Sequence, residues 1–380
     1  MKTILSFIDW YLPGYRAGGV LKAFSNQIAH LEGKYEFKVI TRDTDYCETV
    51  PYEQIKSNQW NRIAPNAEAY YISADQLKIQ TLNKLVAETS FDLAYVHGVY
   101  SFYFSVLPVI LAKVKKVPVV IGSHGMLGKH SLAVKAKKKA IGIKLARFGG
   151  FYKNVVFHAA NASEAVDIRL TIGKKARILI AEELPMKIEL APWASRIKLK
   201  GLLNLCSVAR ISPEKNTLYA IEVLKTCTKG EIVFDIYGPV YNEEYWNQCK
   251  NVIAELPGNV KVNYKGSIPG DKVLSMLSTY HAMFMPTNGE NFGHTILESF
   301  MASTPVIISR NTPWRNLEKS KSGWDLPLED DSTFVAAINQ LIEMDQSTYE
   351  MFSKASLQYA HEFMQNNSIL EQNIKLFADE

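Results

Sequence analysis

The chain reads as an α/β protein built from two doubly wound domains, each around a mostly parallel sheet. Three observations predict this. Short apolar runs of strand length alternate with helix-period stretches through the first half. The text then turns irregular over MKIELAPWASRIKLKG (186–201), and the alternation restarts at LLNLCSVAR (202–210). At 380 residues the chain is long enough for two cores.

Taken in order, strands are expected near 3–8, 37–41, 69–72, 92–97, 117–121 and 155–159. Helix-period text separates most of them, as crossovers between parallel strands require. After the break, strands are expected at 202–210, 232–238, 260–266, 282–287 and 305–309, and the end of the chain reads as helices. The expected division is a first domain at 1–186, a linker at 187–200 and a second domain at 201–360. A closing helical stretch, 361–380, is expected to pack back on the first domain.

With 47% apolar and 21% charged residues, the composition is that of an ordinary soluble globular protein and argues against disorder. No run approaches the roughly 20 apolar residues needed to span a bilayer. The opening MKTILSFIDWYLPG meets Asp9 too early for a signal peptide, so a cytoplasmic protein is expected. Cys47, Cys206, Cys227 and Cys249 lack CxxC pairing and read as reduced thiols, with no zinc site.

The net charge of +5 is concentrated: KHSLAVKAKKKAIGIKLARF (129–148) carries seven Lys or Arg and one His on an expected helix. Such a stripe is either a solvated face or a surface that meets anionic lipid headgroups. It contains no interleaved aromatic ladder, which disfavours single-stranded nucleic acid as a partner. The lack of a GxGxxG with an acid about 20 residues on disfavours an NAD oxidoreductase.

The chemistry concentrates in GENFGHTILE (289–298). A strand precedes it and an apolar helix begins within it, so the first helical amides, near His294 and Thr295, favour an anion. Gly293 allows the backbone to come close. Glu290 and Glu298 are acceptor-only carboxylates suited to vicinal hydroxyls, Glu298 to a ribose and Glu290 to a hexose. By itself this spacing also fits a capping acid and a solvated helix residue. The following strand at 305–309 puts both acids at the carboxyl edge of a parallel sheet, where ligands bind.

Other motifs are expected at such edges. YRAGGV (15–20) follows the first strand, and Gly18 and Gly19 would let amides approach a phosphate or would serve only as a close helix entry. SHGML (123–127) puts His124 after the fifth strand. VARISPEKN (208–216) delivers Arg210 and Lys215, a guanidinium fork and a point charge suited to a diphosphate, or a surface turn before a helix. His97, Tyr100, Tyr103 and His130 are weaker candidates for an acceptor side. Asp43-Thr44-Asp45 spells a DxD associated with metal-dependent transferases, but it follows the second strand, far from the phosphate motifs, and reads as a polar loop.

In this order, Gly18-Gly19, SHGML, ARISPEKN and GENFGHTILE resemble a family four glycosyltransferase, over nearly the whole chain. The resemblance implies the GT-B fold, two Rossmann-like domains facing a central cleft, and retention of anomeric configuration without a metal or other cofactor. It implies that Arg210 and Lys215 hold the donor diphosphate, approached by Gly18 and Gly19 from the other domain. Glu298 would hold the ribose, and Glu290 the C3 and C4 hydroxyls of the donor sugar.

His124 would stand near the sugar C6 hydroxyl, Phe292, Gly293, His294 and Thr295 would complete the pocket through their amides, and Ile268 would line the base. The implied partners are a nucleotide-sugar donor and a glycan or lipid-linked acceptor, in surface polysaccharide or lipopolysaccharide synthesis. AEELP (181–185) departs from the Asn-containing turn usual there. A nucleotide-sugar epimerase of the same fold and a non-catalytic membrane-surface binder are the competing readings, and conversion of donor alone separates the first of them.

Overall fold

The computed structural model describes residues 1–128, 142–144 and 146–378. Most of the basic stretch at 129–148, including His130, lies outside the described residues. Contacts divide the chain into one unit of 1–187 with 367–380 and a second of 188–366.

The first unit opens with β1 (Lys2–Phe7), α1 (Gly19–His30), β2 (Tyr35–Arg42), β3 (Trp60–Ala64), β4 (Ala67–Ile72), α2 (Ile79–Glu88) and β5 (Leu93–His97). After a π-helical turn it continues with α3 (Leu107–Val114), β6 (Val119–Gly122), β7 (Val155–Ala159), α4 (Ala162–Ile172) and β8 (Arg177–Ile180). The eight strands form one sheet in the order β3-β4-β2-β1-β5-β6-β7-β8, with only β3 antiparallel to its neighbour.

The central strands β5 (LAYVH) and β6 (VVIG) are buried at every position, as strands covered on both faces must be. Three strands escaped the sequence pattern for local reasons. WNRIA of β3 is half-buried without alternation, RILI of β8 is a partly exposed edge, and β14 below is only four residues with a glycine.

The second unit contains β9 (Leu202–Val208), α5 (Thr217–Lys225), β10 (Glu231–Tyr237), α6 (Glu243–Ile253), β11 (Val260–Gly266), α7 (Val273–Leu277) and β12 (Ala282–Met285). It continues through α8 (His294–Met301), β13 (Val306–Ser309), β14 (Gly323–Leu326), α9 (Asp331–Glu343) and α10 (Gln346–Met364). Its six strands are all parallel, in the order β11-β10-β9-β12-β13-β14. The closing helix, α11 (Asn367–Leu376), belongs to the first unit. Phe377 after it packs on Tyr35, Phe37 and Tyr95, and Asn373 accepts from Gln27 at 2.8 Å.

The stretch over 188–200 is fastened to the second unit rather than loose. Arg196 donates to the carbonyls of Tyr280 and Ala302, to Thr304 and to the Tyr349 hydroxyl, while Trp193 donates to Ser353. The buried Lys198 ammonium donates to the Leu199 carbonyl at 2.8 Å and to those of Ile342 and Met344, where the end of α9 presents orphan acceptors. Residues 361–366 likewise stay with the second unit.

His281 completes this fastening. Its Nε2–H donates to the Ile197 carbonyl at 3.0 Å, so Nδ1 is the acceptor for the Asn204 amide at 2.9 Å. Burial, with lesser contributions from Lys198 and Arg196, pulls its pKa from 6.5 down to about 4. The unfolded chain therefore binds this proton first, so the stability it confers is complete above about pH 6.5 and is lost as pH falls toward 4. That loss is about 3 kcal/mol. Urea unfolding at pH 7.5 and 4.5 should show a smaller acid penalty in His281→Asn than in the unaltered protein; an equal penalty would refute the assignment.

Candidate donor-sugar site at the sheet edges

Each sheet changes winding direction at one place, between β1 and β5 in the first unit and between β9 and β12 in the second. Loops leaving those strand pairs run in opposite directions and open a crevice at the carboxyl edge. The sequence motifs follow these four strands or their neighbour: YRAGGV after β1, SHGML after β6 beside β5, ARISPEKN after β9 and GENFGHTILE after β12.

In the second unit the two loops are latched together. The Asn288 amide donates to the Glu214 carbonyl at 2.9 Å and its side chain to the Pro213 carbonyl at 2.8 Å, while Asn216, left-handed at φ 60°, donates to the Pro286 carbonyl at 3.0 Å. The latch brings the Lys215 ammonium onto the Glu290 carboxylate, and both side chains are only 13% exposed. The Glu290 amide donates to the Asn311 carbonyl at 2.9 Å, fixing its backbone as well.

α8 begins immediately beyond. Gly293 takes φ 83°, a left-handed conformation that favours glycine whatever the space around it. Glu298, in the second turn, is buried, as is His294. The Phe292 ring is buried against His294, Trp314 and Phe363, and the Trp314 indole donates to the Phe292 carbonyl at 2.6 Å. Phe292 therefore anchors the loop with its ring. Thr295 is half-buried beside it, and Ile268 is half-buried in the loop after β11. Arg210 pairs with Glu214 at 3.4 Å and lies over the Tyr241 ring.

Helix starts differ by location. α4, α6, α9 and α10 begin at Asn161, Asn242, Asp330 and Asp345, each of whose side chains accepts from a first-turn amide. The helices following β1, β9 and β12 begin at Gly18, Asn216 and Gly293, all with positive φ and none supplying a side-chain cap. Their N-terminal partial charge is thus not answered by an N-cap side chain, and it lies at the ligand edge.

In the first unit Gly18 takes φ 80° and Gly19 is the first residue of α1. The loop before it is held by the buried Asp45, whose carboxylate accepts from the Tyr15, Arg16 and Tyr46 amides. Asp43 accepts from Ser57. Within the DxD, Asp45 is thus a brace for the glycine loop. Among the described residues no group of three or more His, Cys, Asp or Glu is arranged to hold a metal ion.

His124 sits in a left-handed backbone at φ 47°, unfavourable for a residue with a Cβ. Its flanks are held by the buried Glu164 of α4, which accepts from Ser123 Oγ and the Gly125 amide at 2.6 Å, and from the Ala160 amide at 2.7 Å. Its Nε2 lies 3.0 Å from Nδ1 of the buried His97. A Cβ on Gly122 would stand 2.7 Å from that Nε2, so only glycine leaves the ring its place. His97 is therefore engaged with His124 rather than presented to an acceptor, and the Tyr100 hydroxyl donates to the Met126 carbonyl at 2.8 Å. Tyr103 packs at the edge of the core.

Sequence reading missed Glu164, Asp45 as a brace, and the His97–His124 contact. An acid three residues after a helix-capping Asn was the one available signal, and it pointed only to a cap.

Replacing Glu164 with Gln presents an NH2 to donors already in place and should cost about 2 kcal/mol. Thermal unfolding would show it, and an unchanged midpoint would show that the three bonds do not hold the His124 loop.

Residues 195–358 match the family model described as glycosyl transferases group 1. No curated protein sequence matches the chain. Among solved structures, sucrose-phosphate synthase from Thermosynechococcus elongatus superposes with a TM-score of 0.70 at 14% identity, covering 99% of this chain and 97% of that one. Anabaena HepE in complex with UDP-glucose gives 0.66 at 14% identity, covering 99% and 98%. WaaG, a glycosyltransferase involved in lipopolysaccharide biosynthesis, gives 0.66 at 11% identity, covering 99% and 100%. The matched stretch, which spans most of the second unit, is thus a glycosyl transferases group 1 domain, in a chain with the two-domain GT-B fold of doubly wound Rossmann-like units.

Proposed function

We propose that this protein is a retaining glycosyltransferase that moves a hexose-type sugar from a nucleoside-diphosphate donor to a glycan or lipid-linked acceptor. The observation that carries the reading is the Lys215–Glu290 pair beside the glycine-started helix that holds Glu298. It joins a cation, a helix N-terminus and two carboxylates, a set matched to a diphosphate flanked by hydroxylated groups. The group 1 match and the likeness to HepE with UDP-glucose support it.

In this reading Lys215, Arg210 and the amides of Gly293, His294 and Thr295 hold the diphosphate, with Gly18 and Gly19 approaching it through their backbone. Glu298 takes the ribose hydroxyls, and Ile268 lines the base. Glu290 takes hydroxyls of the sugar, held ready by its ion pair. His124 binds a sugar hydroxyl. The bond from the anomeric carbon to the β-phosphate oxygen breaks with its electrons on that oxygen. The acceptor hydroxyl attacks from the same face, and its proton passes to the departing oxygen.

Cations and helix dipoles stabilise the charge that develops there, so transfer is expected to proceed without a metal. Likeness to WaaG favours a lipopolysaccharide or other surface-glycan setting, on the cytoplasmic face of a membrane. Among the described residues no helix is long and apolar enough to cross one, and the stripe at 129–148 is the candidate contact with anionic headgroups.

The test is a thermal-shift screen against UDP, GDP, ADP and their sugar conjugates, each with and without EDTA. One nucleotide family should stabilise the protein regardless of EDTA; no shift with any of them would count against a donor site. Glu290→Gln should lower transfer far more than nucleotide binding. Glu298→Ala should weaken nucleotide affinity by about 1–3 kcal/mol, and calorimetric titration showing equal affinity would contradict the ribose assignment.

A further inference from the structure

The geometry points to His97 as a positioning residue that fixes the tautomer of His124, with the His124 proton on Nδ1 and its Nε2 serving as an acceptor. The tautomer follows from hydrogen-bond accounting in the first unit alone; what the Nδ1–H then binds rests on the transferase reading.

His158 is held by a carbonyl that fixes its proton. Its Nε2 lies 2.8 Å from the Ala181 carbonyl, which only accepts, so Nε2 carries the proton and Nδ1 is an acceptor. The Tyr95 hydroxyl, 2.7 Å from that Nδ1, therefore donates to His158, and its proton is committed. His97 packs between these groups and the Phe24 ring, with ring centroids 4.2 Å from Tyr95 and 4.1 Å from Phe24. It is 3% exposed, and its Nε2 is buried with no hydrogen-bond partner among the described residues.

A proton on that nitrogen would be a buried donor without an acceptor, the costlier kind of orphan; a bare lone pair there is tolerated better. His97 therefore keeps its proton on Nδ1. Burial and the neighbouring His124 and His158 also hold it well below the usual histidine range, so it does not take a second proton.

Nδ1–H of His97 then donates to Nε2 of His124 across 3.0 Å, and the two rings lie within 13° of parallel. With Nε2 used as an acceptor, His124 carries its proton on Nδ1. The ring becomes a neutral, oriented hydrogen-bond donor, suited to a sugar hydroxyl or another uncharged oxygen. Glu164 fixes the backbone of this residue and His97 fixes its proton.

Long-range 15N–1H correlation spectra of the full chain, labelled with 15N, test this without substrate. His124 should show a protonated Nδ1 and an unprotonated Nε2 at pH 7.5. His97→Asn, whose amide nitrogen reproduces the position of Nδ1, should keep that pattern, whereas His97→Phe should convert much of His124 to the Nε2–H form. A protonated Nε2 on His124 in the unaltered protein would overturn the inference, even if no variant could be made. So would the same His124 pattern in His97→Phe. Neither result depends on turnover, so failure here is distinguishable from failure of the transferase reading, which nucleotide binding tests.

Discussion

The parallel pairing of β9 with β12 is the constraint on which the second unit's site depends. These strands are neighbours in the sheet although β10 and β11 lie between them in the chain. Their following loops therefore leave the same edge, and bonds from Asn288 to the Pro213 and Glu214 carbonyls tie them together. Lys215 and Glu290, 75 residues apart in sequence, meet for that reason. The pair is poorly exposed, so its attraction is less screened than that of surface pairs such as Lys84 with Glu88.

A second theme is the use of backbone conformation at the ligand edge. Four helices, α4, α6, α9 and α10, start at Asn or Asp residues whose side chains cap a first-turn amide, whereas α2, α3 and α7 start at residues without positive φ and without a side-chain cap. At Gly18, Asn216 and Gly293 the chain turns through positive φ into a helix without such a cap, at the carboxyl edge of each sheet. His124 takes the same kind of conformation without being a glycine. Its cost is tolerated because Glu164 makes three bonds to the loop and to its own helix entry.

Three of the buried carboxylates, Asp45, Glu164 and Glu298, play different parts. Asp45 and Glu164 each accept several protein donors and act as braces. Glu298 lies in the second turn of a helix that begins at the sheet edge, among residues that are buried throughout. Identical chemistry thus braces loops in one unit and sits in a helix at the sheet edge in the other, and only position separates them.

The sequence by itself determined the doubly wound class, because fully covered strands such as AMFM and VIIS must be continuous apolar runs. It also determined the motif positions, because glycine at Gly293 and the acids that bracket it are local requirements of one loop and one helix. Tertiary structure alone decided which side chains meet. The Lys215–Glu290 pair, the Asp45 brace on the glycine loop and the contact of His97 with His124 join residues tens of positions apart. Periodicity and turn chemistry report only on near neighbours along the chain, whereas these contacts are set by strand order and by which loops share a sheet edge.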